Sequence, residues 1–108
     1  MSKRGDAELI ADLREAISRI ESYTQGLTYE QFMKNIKDQD AVVRNLEIIG
    51  EASKNISSAF KKKYPQIPWS DMARVRDRLI HHYFGVNLDI VWDIIKVELP
   101  SLVLIFSK

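Results

Sequence analysis

The residues best suited to chemistry gather in one stretch, RVRDRLIHHYFG, from Arg74 to Gly85. It holds three arginines, a tyrosine and both histidines of the chain. Neutral imidazole can take a proton from a ribose 2′-hydroxyl, and imidazolium can return one to a leaving oxygen. Guanidinium can grip a phosphate through two parallel N–H bonds and stabilise the negative charge that develops there. Arginine and histidine, with an acid (Asp77) and a phenol (Tyr83) alongside, suit metal-free cleavage of a phosphodiester. RNA supplies the internal nucleophile that DNA lacks.

Other site types fit poorly. Adjacent histidines point about 100° apart on a helix, so His81 and His82 cannot share a zinc ion. The chain has no cysteine, no HExxH, no EF-hand loop, no phosphate-cradling glycine loop and no Gly-x-Ser-x-Gly turn. Neither a metal nor another cofactor is expected.

On a helical wheel with Arg76 at zero, Met72, Ala73, Val75, Leu79, Ile80 and Phe84 spread over a broad apolar arc. Arg76 falls near its middle, with Tyr83 at almost the same angle. Asp77 and His81 share a line about 100–140° away. Arginine on an apolar arc needs an acid, a carbonyl, water or a ligand anion. A structural salt bridge to Glu47 or Glu51 would serve as well as a bound phosphate. His81 has the alternative of a solvated or Asp77-paired helix histidine. Tyr83 has that of a core or interface tyrosine, and His82 reads as a bystander. Because Arg76 and His81 diverge on a straight helix, a two-fold dimer is one way to bring such pairs into a single cleft.

The elements that must position these residues read as helices, since apolar spacing is helical and no strand-like alternation persists. Asp6 can cap a first helix carrying Leu9, Ile10, Leu13, Ile17 and Ile20, which stops at Tyr23–Gly26. Thr28 and Gln31 form a capping box for a short second helix, about Tyr29 to Ile36. Asp38 or Asp40 opens the longest run, to about Lys63, with Gly50 mid-helix where a close neighbour would justify it. After the connector YPQIPWS, Ser70 caps a fourth helix through Phe84. Asn87 caps a fifth, which Pro100 should kink or restart. The tail SLVLIF is apolar nearly all round and needs cover from the core or from a partner. The expectation is an all-α bundle of four or five helices.

The 108 residues suit a single domain over 1–108 with one modest core. With 45% apolar and 29% charged residues the class is globular. Sixteen basic side chains against fifteen acidic give a net charge of +1, so nucleic-acid binding would need a local patch. Lys61-Lys62-Lys63 reads first as a complement to a helix end and second as such a patch. No window is apolar enough for a membrane span, and MSKRGDAELIADLREA has no signal-peptide apolar region. A cytoplasmic location is expected.

Read as RDRLIHHY, Arg76-x4-His81-x-Tyr83 resembles the Arg-x4-His-x-Tyr signature of the HepT-like toxins, a branch of the HEPN superfamily. QDAVVRNLEIIGEASKNIS, YPQIPWSDM and HHYFGVNLDIVWDIIKVELP are similar to segments of that family in the same order. The resemblance runs from about Asp6 to Phe106 and implies a specific set of properties. It implies an α-helical bundle that forms a homodimer and brings the motifs of two subunits into one cleft. It implies a metal-independent endoribonuclease acting as a toxin, encoded beside a nucleotidyltransferase antitoxin that transfers AMP to the motif tyrosine. Carried onto this chain, Arg76 and His81 are the catalytic pair, Asp77 is the polar residue after the arginine, and Tyr83 is the AMP acceptor. Adenylylation would set a bulky anion beside Arg76. The same resemblance permits a second function, a non-catalytic partner subunit of the nucleotidyltransferase in which Arg76 holds a phosphate without cleaving anything.

Overall fold

The computed structural model describes residues 4–79 and 85–106. Every element among them is a helix. Helix α1, Asp6–Thr24, begins after Gly5, whose N–H is accepted by the Glu8 carboxylate. Asp6 was expected as its cap but serves a distant partner instead. Its carboxylate accepts the Ser57 N–H at 2.9 Å and the Ser57 hydroxyl at 2.6 Å. Gly26, at φ +75°, takes the left-handed backbone that ends α1.

Helix α2, Tyr29–Lys34, carries the expected capping box. Thr28 Oγ1 accepts the Gln31 N–H at 3.1 Å, and Gln31 Oε1 accepts the Thr28 N–H at 2.9 Å. It stops short of Ile36 because Asn35 caps the next helix, its Oδ1 accepting the Asp38 N–H at 3.0 Å. Helix α3 therefore spans Ile36–Asn55, rather than opening at Asp38 or Asp40. It also ends earlier than its apolar stripe suggests. Ser57 breaks the run, its Oγ accepting the Phe60 N–H at 3.1 Å to start α4, Ser58–Lys63. The Asp6 carboxylate stabilises that break by occupying the Ser57 donors.

Tyr64 to Pro68 fold around Trp69. The indole N–H donates to the Tyr64 carbonyl at 3.0 Å, and the ring meets Phe60 and Phe106 edge-on. Helix α5, Trp69–Ala73, follows Pro68 directly, so the expected Ser70 cap is absent. Arg74, at φ −101° and ψ 10°, interrupts the helix, and α6 resumes as Val75–Leu79. The expected continuation to Phe84 lies outside the described residues.

Helix α7, Leu88–Asp93, is capped as anticipated by Asn87, whose Oδ1 accepts the N–H groups of Asp89 and Ile90 at 3.0 and 3.2 Å. It passes into a π turn, Ile94–Glu98, and then α8, Leu99–Phe106. Pro100 has no N–H to give the Lys96 carbonyl, and the wider turn just before it absorbs that loss. The effect expected of Pro100 thus takes the form of a π turn. The five expected runs become eight α-helical segments and one π turn among the described residues.

Helix α1 packs along α3, α3 against α5 and α6, and α8 against α1. Leu13, Ile20, Phe32, Val42, Leu46, Leu79 and Val91 are among the fully buried side chains between them. Trp92 joins α7 to α2 through Phe32 and Tyr29, and the Tyr29 hydroxyl donates to Asp89 at 2.6 Å. The apolar tail is covered on one side by the core at Leu99, Leu102 and Phe106, while Val97 and Leu104 remain largely exposed. No described helix is long and apolar enough to cross a membrane.

Candidate active site around Arg76

Helix α6 is short but firmly seated. Val75 and Leu79, one turn apart, are both buried. Val75 presses on α3 where that helix has no side chain. A Cβ on Gly50 would lie 3.2 Å from Val75 Cγ1 and 3.5 Å from the Met72 carbonyl oxygen. Gly50 thereby sets how closely the α5–α6 junction approaches α3, as its mid-helix position suggested.

With Val75 and Leu79 turned inward, Arg76, Asp77 and Arg78 turn outward. Arg76 is not centred on an apolar surface: its side chain is 66% exposed. The buried residues Met72, Val75 and Leu79, spaced i, i+3 and i+7, all lie to one side of Arg76 on the wheel, and Ala73 on its other side is only half-buried. Of the two glutamates considered as its partner, Glu47 is the one found, with Oε2 3.8 Å from Arg76 Nε. That is a loose ion pair, beyond hydrogen-bond distance. Glu51 instead accepts from Asn55 at 3.3 Å. Asp77 is exposed and makes no ion pair with another described residue.

Arg78, two residues on, is committed elsewhere. Its guanidinium forks onto both Glu98 oxygens at 2.9 and 2.7 Å. This fork holds Glu98 below the usual carboxylate range, against the opposing effect of partial burial, and holds Arg78 further in its charged form. The pair ties α6 to the π turn. Nothing local in the sequence signals it, because the partners are twenty residues apart.

His81, its neighbour His82 and Tyr83 lie outside the described residues. The chain on either side of them is tied together, since the Asn87 N–H donates to the Leu79 carbonyl at 2.7 Å. Val86 and Leu88, just downstream, line a hollow of about 390 Å³ with Gln39, Asp40, Val43, Arg44 and Glu47 of α3. The exit of the motif segment and the glutamate facing Arg76 therefore border one concave surface. Among the described residues this exposed guanidinium meets an acid at its Nε edge, and its two terminal nitrogens can then serve a phosphate.

The bundle, with an arginine-bearing helix laid over its longest helix, is an all-α domain of the HEPN kind. A family model described as "HepT-like: Ribonuclease HepT-like" matches residues 13–108, and the chain belongs to that family. It is 49% identical over 106 residues to a Thermococcus cleftensis protein named "Probable ribonuclease HepT", covering 98% of this chain and 96% of the relative. It is 46% identical over 101 residues to the Methanocaldococcus jannaschii protein named "Putative RNase MJ0127", covering 94% and 84% of the two chains. A second protein of that organism, "Putative RNase MJ1216", is 42% identical over 108 residues, covering all of this chain and 89% of its own. No solved structure gives a significant match.

Proposed function

We propose that this HepT-like chain is a metal-independent endoribonuclease whose cleft combines Arg76 and His81 from two copies. We also propose that it acts as the toxin of a toxin–antitoxin pair, silenced when a nucleotidyltransferase antitoxin adenylylates Tyr83. Neutral His81 of one copy removes the 2′-hydroxyl proton, and that oxygen attacks the adjacent phosphorus. The 5′-oxygen leaves with a proton from the imidazolium of the other copy, producing a 2′,3′-cyclic phosphate. Arg76 stabilises the charge on the phosphoryl oxygens. Asp77, next to Arg76 in the motif, orients the imidazole that lies four residues on.

The observation that carries this reading is the state of Arg76. A guanidinium this exposed, whose one ion pair among the described residues is the loose contact to Glu47, contributes little to stability and can meet an anion. Membership of the ribonuclease family and the names of the relatives point the same way. Val97, 71% exposed on the C-terminal helical run, offers apolar surface to a second copy.

The test is digestion of RNA in EDTA by wild type, Arg76→Ala and His81→Ala, with fragment ends mapped. Wild type should leave cyclic phosphate ends, with a rate that rises and falls across neutral pH, and both variants should lose about 10²-fold or more. Equal cleavage by all three would remove the reading. Uncut RNA, together with stable binding to a nucleotidyltransferase, would leave the non-catalytic partner subunit in its place.

A further inference from the structure

We propose that Arg44 is a substrate-binding residue of this site and holds the RNA phosphate beside the one that Arg76 addresses. The inference rests on the ribonuclease reading above. Arg44 and Glu47 are three residues apart on α3 and so share one face of it. Both line the hollow bordered by Val86 and Leu88, and both line the adjoining one toward α1 with Arg4, Asp12 and Glu51. The same Glu47 carboxylate faces Arg76 from across the helix crossing. Two guanidiniums thus flank one glutamate, Arg76 from α6 and Arg44 one turn back on α3.

Arg44 is exposed and has acids at both usual helix spacings, Asp40 four residues before it and Glu47 three after. It pairs with neither. The ion pairs among the described residues join Arg4 to Asp12, Arg19 to Glu15, Arg74 to Asp71, Arg76 to Glu47 and Arg78 to Glu98. Asp40 and Glu47 cancel much of the net charge of this surface without occupying the Arg44 fork. The planar fork of each arginine matches a phosphate, and a chain carrying a phosphate at every nucleotide can offer one to each. Arg44 shares the hollow that Val86 and Leu88 border, so the flanking phosphate would lie beside the exit of the motif segment.

The experiment is steady-state cleavage of a short single-stranded RNA by wild type, Arg44→Ala and Arg44→Lys. Each enzyme also receives the same RNA with a neutral methylphosphonate at one linkage beside the cut. Arg44→Ala should raise KM about tenfold, the worth of one charge-assisted contact, and leave kcat nearly unchanged. Its log KM should depend less steeply on log salt, by about 0.7. Arg44→Lys should restore part of the loss. At one flanking position the neutral linkage should weaken wild type and leave Arg44→Ala no weaker. Thermal melting should be the same for all three, because Arg44 is exposed. An Arg44→Ala enzyme with wild-type KM at every salt, or one penalised by each neutral linkage as much as wild type, overturns this inference alone. Failure of wild type to cut RNA would remove the ribonuclease reading and this inference with it.

Discussion

Arg76 and Arg78 stand two residues apart on one short helix and have opposite fates. Arg78 makes a two-pronged contact that fixes α6 to the helical run behind it. Among the described residues Arg76 makes one ion pair, at 3.8 Å from a side chain two-thirds exposed, a geometry worth about 0–1 kcal/mol. A carboxylate at that distance holds a guanidinium in place, and it also competes with an incoming phosphate. Glu47→Gln should therefore cost less than about 1 kcal/mol in urea melting. The same variant should lower KM for RNA, since the competing charge is gone while the amide keeps the shape. A loss of several kcal/mol would instead mark Arg76 as part of the scaffold, and a raised KM would mark Glu47 as an aid to binding. Of the candidate site, Arg76, its Glu47 partner and the exposed Asp77 bear on this argument, whereas His81 and Tyr83 fall outside the described residues.

The position of α6 depends on the missing side chain at Gly50. Alanine there would gain about 1 kcal/mol of helix propensity. Its Cβ would also meet Val75 Cγ1 at 3.2 Å, so Val75 must yield by a few tenths of an ångström and carry Arg76 with it. Displacement of about 1 Å can cost about 10²-fold in rate, so Gly50→Ala should lose several-fold in RNA cleavage with little change in Tm. Adding Val75→Ala removes the clash and should recover part of that rate, a coupling that a double-mutant cycle would measure. Unchanged cleavage by Gly50→Ala would show that α6 needs no such spacing. Gly50 was legible in the sequence because glycine mid-helix is costly. The Thr28 and Asn87 caps, the Gly26 stop and the effect of Pro100 were legible because each acts within a few residues of itself. The breaks were harder to see. Ser57 ends α3 with help from Asp6, fifty-one residues away, and the break at Arg74 interrupts an unbroken apolar pattern. The wheel sets Arg76 near the middle of an apolar arc, whereas the buried Met72, Val75 and Leu79 all lie to one side of it. The Arg78–Glu98 pair is not legible in the sequence because the chain must fold before those residues meet.

At the scale of the whole molecule, two carboxylates join helices that are distant in sequence, and both titrate below their ordinary range. Asp6 is held down by the Ser57 hydroxyl and amide, and links the start of α1 to the α3–α4 break. Glu98 is held down by Arg78, and links the π turn to α6. A carboxylate whose pKa is lower folded than unfolded binds fewer protons in the folded state. Its contribution is complete above the unfolded value of about 4 and disappears as pH falls through the lower folded value. Tyr29 behaves in the opposite sense, because its hydrogen bond to Asp89 raises the phenol. Its contribution is complete below about 10 and is lost as pH rises through the higher folded value. Tm should thus be nearly level between pH 5 and 9 (about one unit inside those two unfolded values), fall on the acid side and fall again at strongly alkaline pH. Asp6→Asn with Glu98→Gln should lower the plateau and flatten the acid limb without altering the alkaline one. Tyr29→Phe should flatten only the alkaline limb. An acid limb as steep in the double variant as in wild type would move the acid sensitivity to other carboxylates, and the α1 and α6 ties would then be incidental to the stability of the bundle.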